Sequence, residues 1–354
     1  MKLTRRQFLK GSAVALGMPT IIPASALGMN GTVAPSNRIV LGGIGIGPRG
    51  REDLSAFLKQ PDVQFVMIAD VQSVRQEVVR VMVNRRYNNQ DCAKTRDMFE
   101  VLGRPDIDAV LIATGDHWHA LATILSVKAG KDVYCEKPCS MTIRESQELA
   151  DAVNRYGRVF QAGTQRRNVD NFRFAAELAR SGRLGRIHTV HASILPLEES
   201  HEWLPGEPEP GIDKVDWDRW LGPAPVRPYN SVLSPRGVHN HYPNWRASRE
   251  FGGGMVTDWG AHHLDIAQWG LGMDESGPVA ARPPEEADAK RGATLVYANG
   301  VTVKHVNGFG VHFHGADGEV LVNRGKFVPI RDGQELASYR DNTNKDTSCA
   351  AEAA

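Results

Sequence analysis

One stretch, Arg38 to Gly50 (RIVLGGIGIGPRG), restricts this chain more than any other. Ile39, Val40 and Leu41 form a short apolar run suited to a buried strand, and it leads into Gly45-Ile46-Gly47-Pro48-Arg49-Gly50. The next segment, PRGREDLSAFLKQ, carries Leu54, Phe57 and Leu58 at helical spacing. A second apolar run, VQFVMIAD, ends on Asp70, 20 residues beyond Gly50. GxGxxG alone is a weak signal. Between strand and helix, with an acid at that distance, it is the arrangement a dinucleotide needs. The glycines let the backbone approach a pyrophosphate, the helix N-terminus faces its charge, and the carboxylate takes the ribose hydroxyls. The plainer alternative is a glycine-rich turn in an ordinary βαβ unit. Asp70 would repel a 2′-phosphate, so NAD is expected rather than NADP, with Arg75 near enough in sequence to pull the other way.

The alternation continues. IDAVLIAT (107–114), KDVYCE (131–136) and RVFQAG (158–163) read as strands, with HALATILSVKAG and TIRESQELADAVNRYG as helices between them. Strands alternating with helices imply a parallel, doubly wound sheet. Ligands lie beyond the carboxyl ends of such strands. Two strand ends therefore matter: TGDHWH (Thr114 to His119) and the Glu136-Lys137-Pro138 step, where a core strand stops on a lysine whose backbone the proline constrains.

After Gly163 the rhythm changes. HTVHASI reads as a strand and is followed by a Pro/Trp-rich excursion from Pro196 to Asn244, whose DWDRWLGPAPVRPY holds too many prolines for a helix or a central strand. GGGMVTDWGAHHLDIAQWGLG (252–272) then places Asp258, His262 and Asp265 on one face of a single helix. An acid and an imidazole one turn apart suit a base and its orienter. Two plainer readings compete, a satisfied core histidine and a solvated polar face. A metal reading through His262, His263, Asp265, His239 and His241 stays open, although adjacent histidines point to different helix faces. Beyond Gly292, ATLVYANGVTVKHVNG, VHFHGADGEVLVNRG and KFVPI read as antiparallel strands joined at ANG and ADG turns. The second half is thus expected to be an α+β domain with an open, mainly antiparallel sheet.

The beginning of the chain carries a different message. Thr4 to Lys10 (TRRQFLK) is a twin-arginine pattern, followed by a modest apolar stretch from Gly11 to Ile22 and an Ala24-Ser25-Ala26 cleavage site. The stretch contains Pro19 and Pro23 and falls short of the ~20 apolar residues of a membrane span. Residues 1–26 are read as a signal for export by the twin-arginine machinery, which delivers folded protein to the periplasm or beyond. Setting aside their four Lys/Arg takes the formal net charge from +1 to about −3, so neither nucleic acid nor an anionic membrane is expected as partner. Outside the cytoplasm no nucleotide pool can be counted on, so a bound cofactor should be held tightly. Export permits disulfides, but Cys92, Cys135, Cys139 and Cys349 form no convincing framework, and Cys135 and Cys139 read as small apolar packers.

Taken in order, GxGxxG at 45–50, Ala69-Asp70, TGDHWH, AGKDVYCEKP, Gly163-Thr-Gln-Arg-Arg167, DWDRWLGPAP and DWGAHHLD resemble the Gfo/Idh/MocA oxidoreductases, the glucose–fructose oxidoreductase and inositol dehydrogenase family, in particular its twin-arginine-exported bacterial members. The resemblance runs from about Asn37 to Ile330. With the signal peptide at 1–26 and a linker at 27–36 set aside, it implies an NAD(P)-binding Rossmann domain at 37–160 and a substrate and oligomerisation domain at 161–333. It also implies that Lys137 reaches the substrate hydroxyl beside the nicotinamide, with His262 as proton acceptor and Asp258 beside the reacting hydroxyl. Gly45, Ile46, Gly47, Gly50, Asp70, Arg75, Thr114, His117, His119, Glu136 and Gln165 would serve the cofactor. Arg166 and Asp265 would join Lys137, Asp258 and His262 at the substrate, with no metal. A sugar or polyol substrate and a homo-oligomer built through the open sheet follow by analogy. Gly115 stands where relatives usually carry proline, a change expected to loosen the loop before His117. The tail at 334–354 does not read like the relatives' closing helix and strand, so the chain is expected to be either an abbreviated member or a truncated or frameshifted copy. Two other functions compete: an NAD-dependent glycoside hydrolase, lyase or epimerase that oxidises its substrate transiently, and a non-catalytic periplasmic sugar binder.

Overall fold

The structure is a computed structural model that describes residues 29, 33–194, 204–238, 244–287, 289 and 291–336. The signal sequence, His239, His241, Cys349 and the tail beyond Leu336 lie outside these residues. Among the described residues no helix is long and apolar enough to cross a membrane.

Six parallel strands form the first sheet: β1 (Ile39–Ile44), β2 (Val63–Ala69), β3 (Ala93–Thr95), β4 (Ala109–Ile112), β5 (Asp132–Cys135) and β6 (Phe160–Ala162), in the order β3-β2-β1-β4-β5-β6. All of its pairings are parallel, as the alternating sequence required. Helices α1 (Pro48–Phe57) and α2 (Ser73–Tyr87) cover one face through Leu54, Leu58, Val79 and Val83, packed on Leu41, Phe65, Ile68 and Leu111. Helices α3 (Met98–Leu102), α4 (Asp116–Lys128) and α5 (Ile143–Tyr156) cover the other, around Val110, Ile112, Val133 and Cys135. Cys135 is therefore the apolar packer expected of it, whereas Cys139 is only half-buried. Helix α5 starts in a capping box between Thr142 and Glu145 and stops at left-handed Gly157. Strand order reverses between β1 and β4, so the carboxyl ends of β1, β4 and β5 border the crevice where such sheets take their ligands.

The second sheet has eight strands in the order β14-β13-β12-β11-β7-β10-β9-β8. They are β7 (Ile187–Ser193), β8 (Ala280–Arg282), β9 (Thr294–Val296), β10 (Thr302–Val306), β11 (Gly310–Gly315), β12 (Glu319–Val322), β13 (Phe327–Arg331) and β14 (Gln334–Glu335). Only the β7–β10 pairing is parallel. Helices α6 (Asp170–Arg180) and α9 (Gly260–Gly270) pack Phe172, Ala175, Ile266 and Ala267 onto one face of this sheet, against Val190, Val311, Phe313 and Val320.

Two expectations need correction. The excursion does contain a helix, α7 (Trp217–Leu221), because Asp216 caps it by accepting from Arg219 N at 3.1 Å and the prolines of DWDRWLGPAPVRPY begin only at Pro223, beyond it. The expected single helix over 252–272 is two, α8 (Gly254–Asp258) and α9, parted at Trp259. The Asp258 carbonyl accepts from Lys137 Nζ at 2.8 Å, and His262 N–H turns instead to the carbonyl of Trp259 at 3.0 Å. A side chain from the first sheet thus takes a place in the helical ladder.

Candidate active site

The glycine loop performs three separate tasks. Gly45 has φ +68°, and a Cβ there would come within 2.3 Å of Thr114 Cγ2, so only glycine fits between β1 and β4. A Cβ on Gly47 would meet nothing nearer than Arg75 Nη1 at 3.9 Å, which leaves open space before the N-terminus of α1. Gly50 faces inward: a Cβ there would sit 2.8 Å from that of Ala113. It seats the helix on the sheet and does not line the cavity, and the Ile46 side chain is core. Any approach of these two to a cofactor would therefore be through the main chain, as the glycine motif implied.

A cavity of about 560 Å³ opens at this crevice. Gly45, Gly47, Asp70, Arg75, Thr114, His117, His119, Glu136 and Lys137 line it from the first sheet, and Trp220, Trp245 and Arg246 from the second half. Asp70 is buried, and burial pushes its carboxyl up against the opposing pull of Arg75 and the Gln72 amide. Arg75 is tied by Nη2 to the Pro235 carbonyl at 3.1 Å.

At the β5 end, Lys137 Nζ donates to the Asp258 carboxylate as well as to its carbonyl, and the Lys137–Pro138 peptide bond is cis. Both side chains are largely buried, 12% and 18% exposed. Burial pushes the Asp258 carboxyl up, but Lys137 and Arg246 outweigh it and hold it below the usual range. Glu136 is bound by Arg49 Nε at 3.3 Å, and Arg49 also bonds Asp53, whose carboxyl is pushed up to about 7 by burial and by Glu136. A Cβ on Gly163 would come within 2.7 Å of Glu136 Oε1, so the glycine opening GTQRR makes room for that carboxylate.

The TGDHWH turn supports this end from below. His119 Nδ1 bonds the Pro138 carbonyl at 2.6 Å, and burial lowers its pKa to about 4. A neutral ring therefore donates to the residue that follows Lys137. His117 Nε2 bonds the Trp220 carbonyl at 2.9 Å, and its ring packs on Trp220 and Phe251. Gly115 has an extended backbone, and a Cβ there would press on the His117 ring at 2.8 Å. The glycine accommodates that ring.

His262 is buried beside Lys137. Burial first, then the charges of Lys137 and Arg166, hold its imidazole well below the usual range, and its Nδ1 has no hydrogen-bond partner. Its expected orienter is engaged elsewhere: the Asp258 carboxylate faces Lys137 and, at 3.7 Å, Arg246. Asp265 also leaves the expected substrate set, since both its oxygens are held by Arg167, at 2.6 and 2.9 Å. Gln165, Arg166, Asp258 and His262 are not among the residues that line the cavity; Asp258 meets it through its bond to Lys137, and His262 lies within reach of the Lys137 and Arg166 charges. The metal reading at His262 and His263 fails on orientation: the His263 ring turns away to the Ser193 carbonyl and the Phe309 ring.

Comparison with known proteins places these features. The model of the oxidoreductase family with an NAD-binding Rossmann fold (GFO_IDH_MocA) matches residues 38–164, and that of the family's C-terminal alpha/beta domain matches 201–328. This chain belongs to the Gfo/Idh/MocA oxidoreductase family. It is 28% identical over 182 residues to the 1,5-anhydro-D-fructose reductase of Ensifer adhaerens, 51% of this chain and 43% of that one. It is 30% identical over 169 residues to an alpha-N-acetylgalactosaminidase of Shewanella oneidensis, 43% of this chain and 37% of that one. The matches thus span less than half the length of these curated relatives. A levoglucosan dehydrogenase solved with NADH and levoglucosan shares the fold, with a TM-score of 0.56 and 19% identity over 86% of this chain and 80% of the other.

Within this Gfo/Idh/MocA frame, sequence reasoning passed over Asp116, Arg49 and Arg246. Asp116 opens α4, lines the cavity and is pushed up to about 8, mainly by burial. Its signal was its place inside TGDHWH. Arg49 sat inside GxGxxG as an unspecified x. Arg246 carried no signal, because only folding brings it to Asp258.

Proposed function

We propose that this chain is an NAD(P)-dependent oxidoreductase acting on a hydroxyl of a sugar, sugar derivative or polyol. The observation that carries the reading is the meeting of Lys137 and Asp258 at one end of the cavity that the glycine loop and Asp70 open. The residues present fit a dinucleotide: open space at Gly47, a helix N-terminus behind it, and a carboxylate at the end of β2. Bound there, a nicotinamide would exchange hydride with the substrate carbon.

The chain's own groups do the rest. An ammonium has three donors. Lys137 commits two directions to Asp258, which leaves one for a substrate oxygen on which negative charge grows. His262, kept neutral by burial, is in the form that accepts a proton. An alkoxide developing beside it would raise its proton affinity during the step. Asp258 positions Lys137, and Arg246 offsets the carboxylate's charge on the far side. NAD is preferred over NADP on the strength of Asp70, with Arg75 the opposing influence.

A second reading has one observation in its favour. The galactosaminidase relative raises a hydrolase in which transient oxidation at a ring carbon acidifies its neighbour. Aryl glycosides separate the two: aglycone release without net change in nicotinamide absorbance supports the hydrolase, and net reduction supports the dehydrogenase. We also infer export through the twin-arginine pattern at Arg5 and Arg6, with a tightly held cofactor as its consequence. Mass spectrometry of protein from the periplasm tests both, since it reads the mature N-terminus and any released nicotinamide. A preparation without nicotinamide that also fails to bind added NAD would remove the nucleotide assignment.

A further inference from the structure

The face of the second sheet turned away from α6 and α9 carries a cluster that the cofactor site does not use. On β7 and β11, His191 and His312 are directly paired across the strands, and His314 follows two residues on, so all three imidazoles stand on one face. Glu319 of β12 pairs with His314 and joins them. The opposite face at these strands is the apolar core of Val190, Ala192, Val311, Phe313 and Val320. Such a sheet face is normally mixed polar surface, and three imidazoles packed ring to ring on it need a reason.

We propose that His191, His312 and His314 form a binding site for a zinc-like divalent transition-metal ion. One nitrogen from each ring lies within 4.8 Å of the other two. With metal–nitrogen bonds of about 2.0–2.1 Å, ligand atoms around one ion stand roughly 3.4 Å apart, so modest ring rotations close the set. His314 Nε2 already faces His191 Nδ1 at 3.1 Å, two lone-pair sites sharing one proton that an ion would displace. His312 Nε2 is buried and forms no hydrogen bond, although Glu319 Oε2 approaches it to 2.8 Å. Glu319 Oε2 also lies 3.2 Å from His314 Nδ1, placed to hold a proton there and leave the Nε2 lone pair for the ion, the usual carboxylate–histidine–metal arrangement. Burial first, then neighbouring His314, keep His191 and His312 below the usual imidazole range, which favours the neutral ligand form. Among the described residues, Lys304, opposite His191 on β10, is the cation paired into the cluster, and its side chain is exposed. Three imidazoles suit zinc and its neighbours, not calcium or magnesium. An ion here would tie β7 to β11.

The test uses the full-length protein without a histidine tag, stripped with chelator and titrated with Zn²⁺ by calorimetry and with Co²⁺ by its visible absorption. One equivalent should bind, the Co²⁺ spectrum should report tetrahedral nitrogen ligation, and Zn²⁺ should raise the thermal midpoint. His312→Ala should weaken binding by more than about 100-fold, and Glu319→Gln by about 10-fold, because the carboxylate that orients the His314 ring is lost. Both should leave NAD binding and circular dichroism unchanged. Absence of stoichiometric binding overturns the proposal, and so does binding that His312→Ala and His191→Asn leave intact. Glu319→Gln keeps the test valid should an alanine variant fold poorly.

Discussion

Lys137 grips Asp258 by two atoms at once, its ammonium bonded to the carboxylate and, at 2.8 Å, to the main-chain carbonyl 121 residues further along the chain. The end of a strand in one sheet is thereby fastened to the helix pair of the other. Asp258→Asn should separate the two bonds, because the carbonyl survives and the charge does not. Breaking a fully buried pair costs ~3–5 kcal/mol, and with one bond kept and partial exposure the expected loss is about 2 kcal/mol. Denaturant unfolding reads it; an unchanged midpoint would show that the carboxylate contributes nothing to fastening the lysine.

Gly47 and Gly50 belong to one motif yet should fail differently. Gly50→Ala drives a Cβ against Ala113 and Ile46, an overpacking expected to cost about 1–3 kcal/mol. Gly47→Ala meets open space, so stability should move by less than ~0.5 kcal/mol. Its NAD affinity should nevertheless drop roughly tenfold, about 1.4 kcal/mol, because the methyl group occupies the space left for the pyrophosphate. Thermal melts beside fluorescence titrations with NAD distinguish them, and equal NAD affinity in Gly47→Ala and the parent would count against the cradle.

Asp116 makes stability depend on pH in an unusual direction. Its carboxyl is raised from an ordinary 3.8 to about 8 in the fold, mainly by burial, with Arg246 opposing. Between those values the folded chain keeps a proton that the unfolded chain has released, so this group's contribution falls as pH rises from about 4 to about 8. Asp116→Asn mimics the protonated form. Its stability relative to the parent should therefore improve steadily across that interval, and a difference that stays flat would mean that Asp116 is ionised in the fold.

On the proposed reading, Asp70 favours NAD and Arg75 opposes it. Asp70→Ala should weaken NAD more than NADP, since only the former relies on a carboxylate for its ribose hydroxyls. Equal losses for the two nucleotides, measured by titration, would remove Asp70 from the ribose.

The nucleotide half was legible because it is written locally. Strand, glycine turn, helix and acid follow one another in the chain, and the parallel sheet follows from their alternation. The open antiparallel sheet was legible for the same reason, in strand-like runs joined at ANG and ADG turns. What sequence periodicity got wrong lies where the halves touch. Asp258, His262 and Asp265 fit one helical face, but Lys137 takes the Asp258 carbonyl and splits the helix, while Arg167 claims Asp265. Neither contact has a local signature. The three-histidine face was hidden too, because His191 and His312 are separated in sequence and meet only through strand pairing.

The central claim is that Lys137 serves the reacting hydroxyl and not the cofactor's binding. Its most direct measurement is Lys137→Met, with NAD affinity from fluorescence titration set beside turnover on any sugar or polyol that reduces the bound nicotinamide. The account predicts an NAD affinity within about threefold of the parent and a kcat lower by about 10²–10³-fold, the usual cost of losing one preorganised donor to developing charge. Loss of NAD binding with undiminished turnover at saturating NAD would contradict it.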